Sequence, residues 1–232
     1  MSDIVTLELK ESIATIRMDD GKVNVISPAM VAGLNAALDQ AKADRATVIL
    51  TGREGMFSAG FDLRVLTAGG PTAIDLLFSG FELAERLLSF PTPVVIACPG
   101  HAVAMGVFLL LSGDYRIGAA GPFRIQANEV AIGLPMPAAA IEICRQRLAP
   151  AHFNRAVILA EAYSPDDALV AGFVDRVVQP AELREAAREV AAQLGKLNMT
   201  AHAASKLRAR EQVLAAIRAG IEADRAALQA PA

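Results

Sequence analysis

Two apolar runs at the start of the chain, Ile4 to Leu9 and Ile13 to Met18, flank the polar Lys10-Glu11-Ser12, a pattern that predicts a β-hairpin. Ser27-Pro28 then opens a helix, with serine as N-cap and proline at the first helical position. Met30, Leu34, Ala37, Leu38 and Ala41 follow at helical spacing. Thr47 to Thr51 is a β-branched strand. After Gly69-Gly70-Pro71 a second helical period runs through Ile74, Leu77, Phe78, Phe81, Ala84, Leu87 and Leu88, until Pro91 and Pro93 stop it. Val94 to Cys98 predicts the next strand, Ala104 to Leu111 a buried helix, and Tyr115 to Ala119 and Phe123 to Gln126 two further strands. Ser164-Pro165 opens a short helix closed by Gly172, and Phe173 to Val178 is again strand-like. From Ala181 onward the pattern is helical and alanine-rich, broken by Gly195 and Asn198 into two helices. The layout is α/β: ββα repeats over residues 1–180, then a helical C-terminal region over 181–232.

Composition fits a compact enzyme. The 232 residues suit one core with a helical appendage. A hydrophobic share of 53% and a mean hydropathy of +0.38 supply material for a large core and for a subunit interface. Tryptophan is absent, the net charge is −3 and the pI is near 5.7, which argues against nucleic acid as a partner. Cys98 and Cys144 lack CxxC spacing and stand among apolar residues, so they read as reduced and buried in a cytoplasmic protein. Met1-Ser2-Asp3-Ile4 lacks the layout of a signal peptide. The longest uncharged apolar run, Ala102 to Leu111, falls short of the roughly 18 residues that span a bilayer, so no membrane segment is expected.

Two short glycine-bearing segments carry the chemistry. Phe57-Ser58-Ala59-Gly60-Phe61-Asp62 and Pro99-Gly100-His101-Ala102-Val103-Ala104-Met105-Gly106 each follow a buried β run, and Glu129 comes shortly after the second. The combination points to two backbone N–H groups aimed at one oxygen beside one acid–base group. Backbone amides at sharp turns are neutral, fixed and unable to titrate, which suits them to charge that develops on oxygen. Taken singly, Ala59-Gly60 also reads as an ordinary strand-to-helix turn, and Glu129 as a solvated loop carboxylate. No GxGxxG opens a nicotinamide-binding turn, and Ser58 lacks the preceding glycine of a hydrolase elbow. His101, His152 and His202 are scattered without metal-ligand spacing, so no metal site is expected.

These residues resemble the crotonase superfamily of enoyl-CoA hydratases and isomerases. The likeness runs from Val23-Asn24-Val25-Ile26-Ser27 through Phe57–Leu63 to Ala171–Val178. It implies a spiral of ββα turns with a trimerising helical end, an acyl-CoA thioester as substrate, and a homotrimer or hexamer. Coenzyme A would be part of the substrate, with no separate cofactor. The oxyanion amides implied are those of Ala59 and Met105, the substrate-binding residues Ser58, Gly60, Asp62, Leu63, Gly106 and Phe108, and the catalytic carboxylate Glu129. Hydratases of the family carry two glutamates; here the first position is Phe108 and the second Glu129, in the pair Asn128-Glu129. A hydratase holds water between two carboxylates, whereas an isomerase shuttles one proton with a single one. The resemblance therefore implies Δ3,Δ2-enoyl-CoA isomerisation, with 2-enoyl-CoA hydration and non-catalytic acyl-CoA binding as alternatives, the last motivated by Phe108 and Met105.

Several neighbours keep two readings. Phe108 is core or acyl-chain lining. Glu142 replaces the missing carboxylate or pairs with Arg145 or Gln146 on a helix surface. Lys206, Arg208 and Arg210 meet a coenzyme A phosphate or form a solvated basic face. Asp114 reads as a structural acceptor near a chain reversal. Val130, Ile132 and Leu134 are expected to bury Glu129 and raise its pKa. The chain also ends sooner after Ile221–Leu228 than is typical of the family, which bears on how the acyl pocket is closed.

Overall fold

The computed structural model describes residues 4–229. The reading of Met1-Ser2-Asp3 as lacking a signal peptide lies outside the described residues. The first two apolar runs form β1 (Val5–Lys10) and β2 (Ile13–Met18), paired antiparallel with Lys10 opposite Ile13. Ser27 caps α1 (Pro28–Ala43), its hydroxyl accepting the Met30 N–H at 3.2 Å. The buried face of α1 is Met30, Leu34, Ala37, Leu38 and Ala41, as the spacing predicts, joined by Val31, which the spacing does not single out.

From β3 (Thr47–Thr51) onward the chain repeats one move: a strand joins a large sheet, a short strand joins a small sheet, and helix follows. β3 and β4 (Gly55–Ser58) precede α2 (Leu63–Ala68) and α3 (Gly70–Leu88). β5 (Val94–Cys98) and β6 (Gly100–Val103) precede α4 (Met105–Leu111). β7 (Tyr115–Ala119) and β8 (Ile125–Gln126) precede α5 (Ala138–Arg145). With β9 (Arg176–Val178), the large sheet runs β1-β2-β3-β5-β7-β9 and the small one β4-β6-β8, parallel throughout after the hairpin. This is the α/β spiral of ββα repeats that the motifs imply.

Parallel strands covered on both faces need apolar residues on both, which is why β3 and β5 read as unbroken apolar runs. Val48, Leu50, Val94, Ile96 and Cys98 enter the main core. Their neighbours Ile49, Val95 and Ala97, with Ile117 and Ala119, meet Leu183, Ala186, Ala187 and Ala191 of α8 (Leu183–Leu194). Cys98 and Cys144 are buried and free. Among the described residues no helix is long and apolar enough to cross a membrane.

Some elements differ from the pattern. Phe123 to Gln126 pairs only at Ile125–Gln126, and Phe173 to Val178 only at Arg176–Val178. Between them lie α6 (Pro150–Val157), which the pattern does not signal, and α7 (Pro165–Ala171), capped by Ser164 and ended by Gly172 as expected. The C-terminal region holds three helices rather than two, because α9 (Met199–Ala209) breaks again at Arg210 before α10 (Glu211–Gln229). No glycine or proline marks that break. Arg210 is pulled inward, its guanidinium donating to Leu88 O at 2.7 Å and meeting Asp114 at 2.9 Å.

Lys206 is neither solvated nor turned to a ligand. It is 7% exposed, 2.6 Å from Asp114, and donates to Thr92 O at 3.3 Å. Asp114 also accepts the Val94 N–H at 2.8 Å, so it is the structural acceptor its position suggests. α10 folds back over its own chain. Leu214, Ile217 and Ile221 are buried, Arg218 pairs with Glu85 and Arg225 with Glu82, and Asp224 accepts the Ala138 N–H at the head of α5 at 2.9 Å.

Candidate active site

The small sheet brings the three sequence-predicted pieces together. Its strands are parallel, Ser58 opposite Ala102 after a register shift between Met56 and Ser58, and Ala102 opposite Ile125, so all three chains leave at the same end. From β4 the chain runs into Ala59-Gly60-Phe61, from β6 into Ala104-Met105, and from β8 towards Glu129. Ala104 N–H donates to Gln126 O at 3.0 Å, tying the second segment to the strand that leads to Glu129. The carboxyl ends of parallel strands are where α/β folds gather their ligands.

The two glycine segments touch through their missing side chains. A methyl on Gly60 would lie 2.7 Å from Ala104 Cβ and 3.3 Å from the Met105 nitrogen, and Gly60 itself has φ +94°. A methyl on Gly106 would lie 2.4 Å from Ser58 O and 2.9 Å from Ser58 Cβ. Backbone cannot yield as a flexible side chain would. Gly106→Ala is therefore expected to cost about 1–3 kcal/mol of stability, as overpacking does, and to lower turnover by about 10²-fold through misplacement of the Met105 amide. Urea unfolding and steady-state kinetics check the two effects separately.

Of three successive amides in the first segment, two are already engaged. Ala59 N–H donates to Val23 O at 3.0 Å, and Gly60 N–H donates to the Ser58 hydroxyl at 3.2 Å. Ala59, the amide expected in the oxyanion hole, thus has an acceptor in a distant segment. Phe61 N–H has none in the backbone among the described residues: its neighbours bridge to Ile26, which donates to Gly60 O at 2.8 Å and accepts from Asp62 N–H at 3.1 Å. Met105 N–H, at the head of α4, has no backbone acceptor either among the described residues. It follows Ala104, whose φ of 50° and ψ of −127° are strained for a residue with a Cβ.

Glu129 begins a 3₁₀ turn (Val130–Ile132) closed by left-handed Gly133. It is 8% exposed, and its Oε2 is buried without a hydrogen-bond partner, as is Asn128 Oδ1. Burial pushes its carboxyl up to about 7. The wall around it is not the expected one. Val130, Ile132 and Leu134 are 42%, 53% and 51% exposed, because the turn points them outward. Burial pushes the Cys144 thiol of α5 up, and the Glu129 charge adds to that rise.

The remaining site candidates divide. Phe108 is 1% exposed, its ring tilted on Phe81 at 5.9 Å, so it is core. Ser58 is buried and donates to Asn24 O at 2.7 Å, so its side chain is a strut between segments. Asp62 caps α2 and grips Arg64 at 2.8 Å. Leu63 is exposed beside it. Glu142 pairs with Arg145 at 3.2 Å, the helix-surface reading. No group of His, Cys, Asp and Glu among the described residues could hold a metal ion. A cavity of about 860 Å³ lies elsewhere, between the large sheet and α8, lined by residues such as Thr15, Thr51, Ala97 and Arg188 and by none of these candidates.

Residues 8–232 match the enoyl-CoA hydratase/isomerase family. The chain belongs to the enoyl-CoA hydratase/isomerase family, and is an enzyme of CoA-thioester chemistry. A carnitinyl-CoA dehydratase of Salmonella typhi is 30% identical over 197 residues, 84% of this chain and 75% of that protein. A Mycobacterium tuberculosis protein is called an enoyl-CoA isomerase in one structure, at 52% identity and a TM-score of 0.92 over 96% of this chain and 97% of that one. Another structure calls it a probable enoyl-CoA hydratase, at 51% identity and a TM-score of 0.94 over 97% and 95%. Human mitochondrial Δ3,Δ2-enoyl-CoA isomerase is 26% identical, with a TM-score of 0.91 over 97% of this chain and 92% of its own.

Proposed function

We propose that this enzyme converts 3-enoyl-CoA thioesters to the conjugated 2-enoyl form, with Glu129 as its acid–base group and the Phe61 and Met105 amides as its oxyanion hole. The observation that carries the reading is one buried carboxyl with an unpartnered oxygen, on the segment that leaves the same end of the small sheet as two amides without backbone acceptors, with the apolar Phe108 where hydratases have their first glutamate. Glu129 takes a proton from C2, breaking that C–H bond. The electron pair delocalises through the thioester carbonyl and C3=C4 into a dienolate, whose oxygen the two N–H groups hold. Glu129 then gives the proton to C4, leaving the double bond between C2 and C3. Composition is unchanged: neither water nor a cofactor is consumed, and coenzyme A leaves as part of the product thioester.

Magnitudes apportion the work. A carboxyl lifted from 4.5 to about 7 is about 3 kcal/mol better matched to a weakly acidic carbon, at about 1.4 kcal/mol per pH unit. Each oxyanion donor adds roughly 3–4 kcal/mol where the charge develops. Positioning supplies the rest.

A panel of thioesters tests this. The enzyme is expected to isomerise a 3-enoyl-CoA and to hydrate crotonyl-CoA at least about 10²-fold more slowly, the share a second positioned acid–base group supplies. Since the reaction begins with the ionised base, kcat/KM should rise with pH through about 7 and level off above it. Brisk hydration, or tight thioester binding without turnover, overturns the proposal. We also propose a homotrimer or a dimer of trimers, in keeping with the family. Leu159 and Val170, 70% and 69% exposed, supply apolar surface for subunit contact, which sedimentation checks.

A further inference from the structure

The glycine at position 80 is not needed for its backbone angles. It sits in the middle of α3, a regular helix, and its φ is not positive. What it supplies is space. A methyl built there would lie 2.4 Å and 2.6 Å from Phe61 Cε1 and Cζ, and 3.5 Å from the Met105 sulfur. One point on α3 therefore underlies the side chains of both residues whose amides are free.

The Phe61 ring also meets a second residue of α3. Phe81, the next residue of α3, stands edge-on to it with centroids 6.1 Å apart, and Phe81 is in turn tilted against buried Phe108 at 5.9 Å. Phe61 is only partly buried, so its ring has a solvent-facing side towards which it can yield. A methyl at Gly80 would push the ring that way, turning the residue that carries the first amide. The same methyl would reach ordinary contact with the Met105 side chain.

We infer that Gly80 is a positioning residue, a notch in α3 that seats the Phe61 ring and so aims the Phe61 amide at the substrate's carbonyl oxygen beside that of Met105. This deepens the oxyanion assignment proposed above and rests on it. Alanine is the better helix former, so a loss of function at this position would run against the intrinsic effect of the substitution on the helix. Gly80 acts through Phe61 and not by touching substrate.

The test compares wild type, Gly80→Ala, Phe61→Ala and the double variant Gly80→Ala/Phe61→Ala, with folding followed by circular dichroism. Carbonyl polarisation is read without turnover, from the red shift in absorbance when 2,4-hexadienoyl-CoA binds. Gly80→Ala is expected to weaken the red shift and lower kcat for isomerisation by about tenfold or more, as lost alignment does, with KM changing less. The double variant is expected to match Phe61→Ala, because removing the ring removes what the methyl would strike. A full red shift in Gly80→Ala, or a double variant as impaired as the product of the two singles, overturns the inference. A wild type that polarises the probe but does not isomerise overturns the proposed reaction instead and leaves the notch standing.

Discussion

Glu129→Gln is expected to lose isomerase activity by about 10³-fold or more, the scale of a positioned general base, while becoming more stable than wild type at neutral and alkaline pH. Both effects come from the same burial. The carboxyl is held at about 7 against an ordinary 4.5 because ionisation leaves a charge with little solvent and an unpartnered oxygen. Below the unfolded value the group is protonated in both states and contributes no pH dependence. Between about 4.5 and 7 the folded state binds the proton and the unfolded state does not, so stability falls as pH rises. Above about 7 the folded state bears the full penalty, about 3 kcal/mol at about 1.4 kcal/mol per pH unit. Glutamine keeps the shape and removes the charge. Urea unfolding of both proteins at pH 4.5 and pH 8 should therefore show a gap that opens with pH in favour of the variant. Equal stabilities at pH 8, or activity within tenfold of wild type, would contradict a buried catalytic base. The combination is the trade of stability for function expected at an active site.

Much of this site was legible in the sequence because its parts are local. Ser27-Pro28 states a helix start in two residues, and β runs followed by glycine turns mark where backbone must come close. The same local signal could not say which amide of Ala59-Gly60-Phe61 stays free. That is decided by Val23 and Ile26, brought alongside by the fold, which engage the backbone on either side of Phe61. Glu129 was expected to be buried by Val130, Ile132 and Leu134, its sequence neighbours. A 3₁₀ turn sends those outward instead, so its burial comes from outside its sequence neighbours. Lys206 is the clearest case. Its helix carries basic residues in the pattern of a solvated face, and nothing nearby in sequence announces that Asp114 waits 92 positions away. The break at Arg210 has the same origin, a distant acceptor rather than a local breaker.

That distant acceptor sets the second large effect. Asp114→Ala is expected to destabilise the fold by about 3–5 kcal/mol, the usual result of removing one partner from a buried ion pair. Its carboxylate satisfies three groups at once: the Val94 N–H that opens β5, the Lys206 ammonium at 2.6 Å and the Arg210 guanidinium at 2.9 Å. Without it, Lys206 keeps only Thr92 O at 3.3 Å inside the protein. Burial already draws the Lys206 pKa down to about 8, with Asp114 acting to raise it, so the variant lowers it further. Below that lower value the variant carries an unpaired buried charge. As pH rises through about 8 the lysine is neutral in both folded proteins, and the stability gap should narrow. Asp114→Ala/Lys206→Met should recover part of the loss at pH 7, since the buried ammonium is gone, while Arg210 still lacks its partner. A double variant no more stable than Asp114→Ala would mean that the carboxylate acts through Val94 and Arg210 alone. β5 leads through β6 to Met105, so loosening its first residue also loosens the frame on which the oxyanion hole is hung.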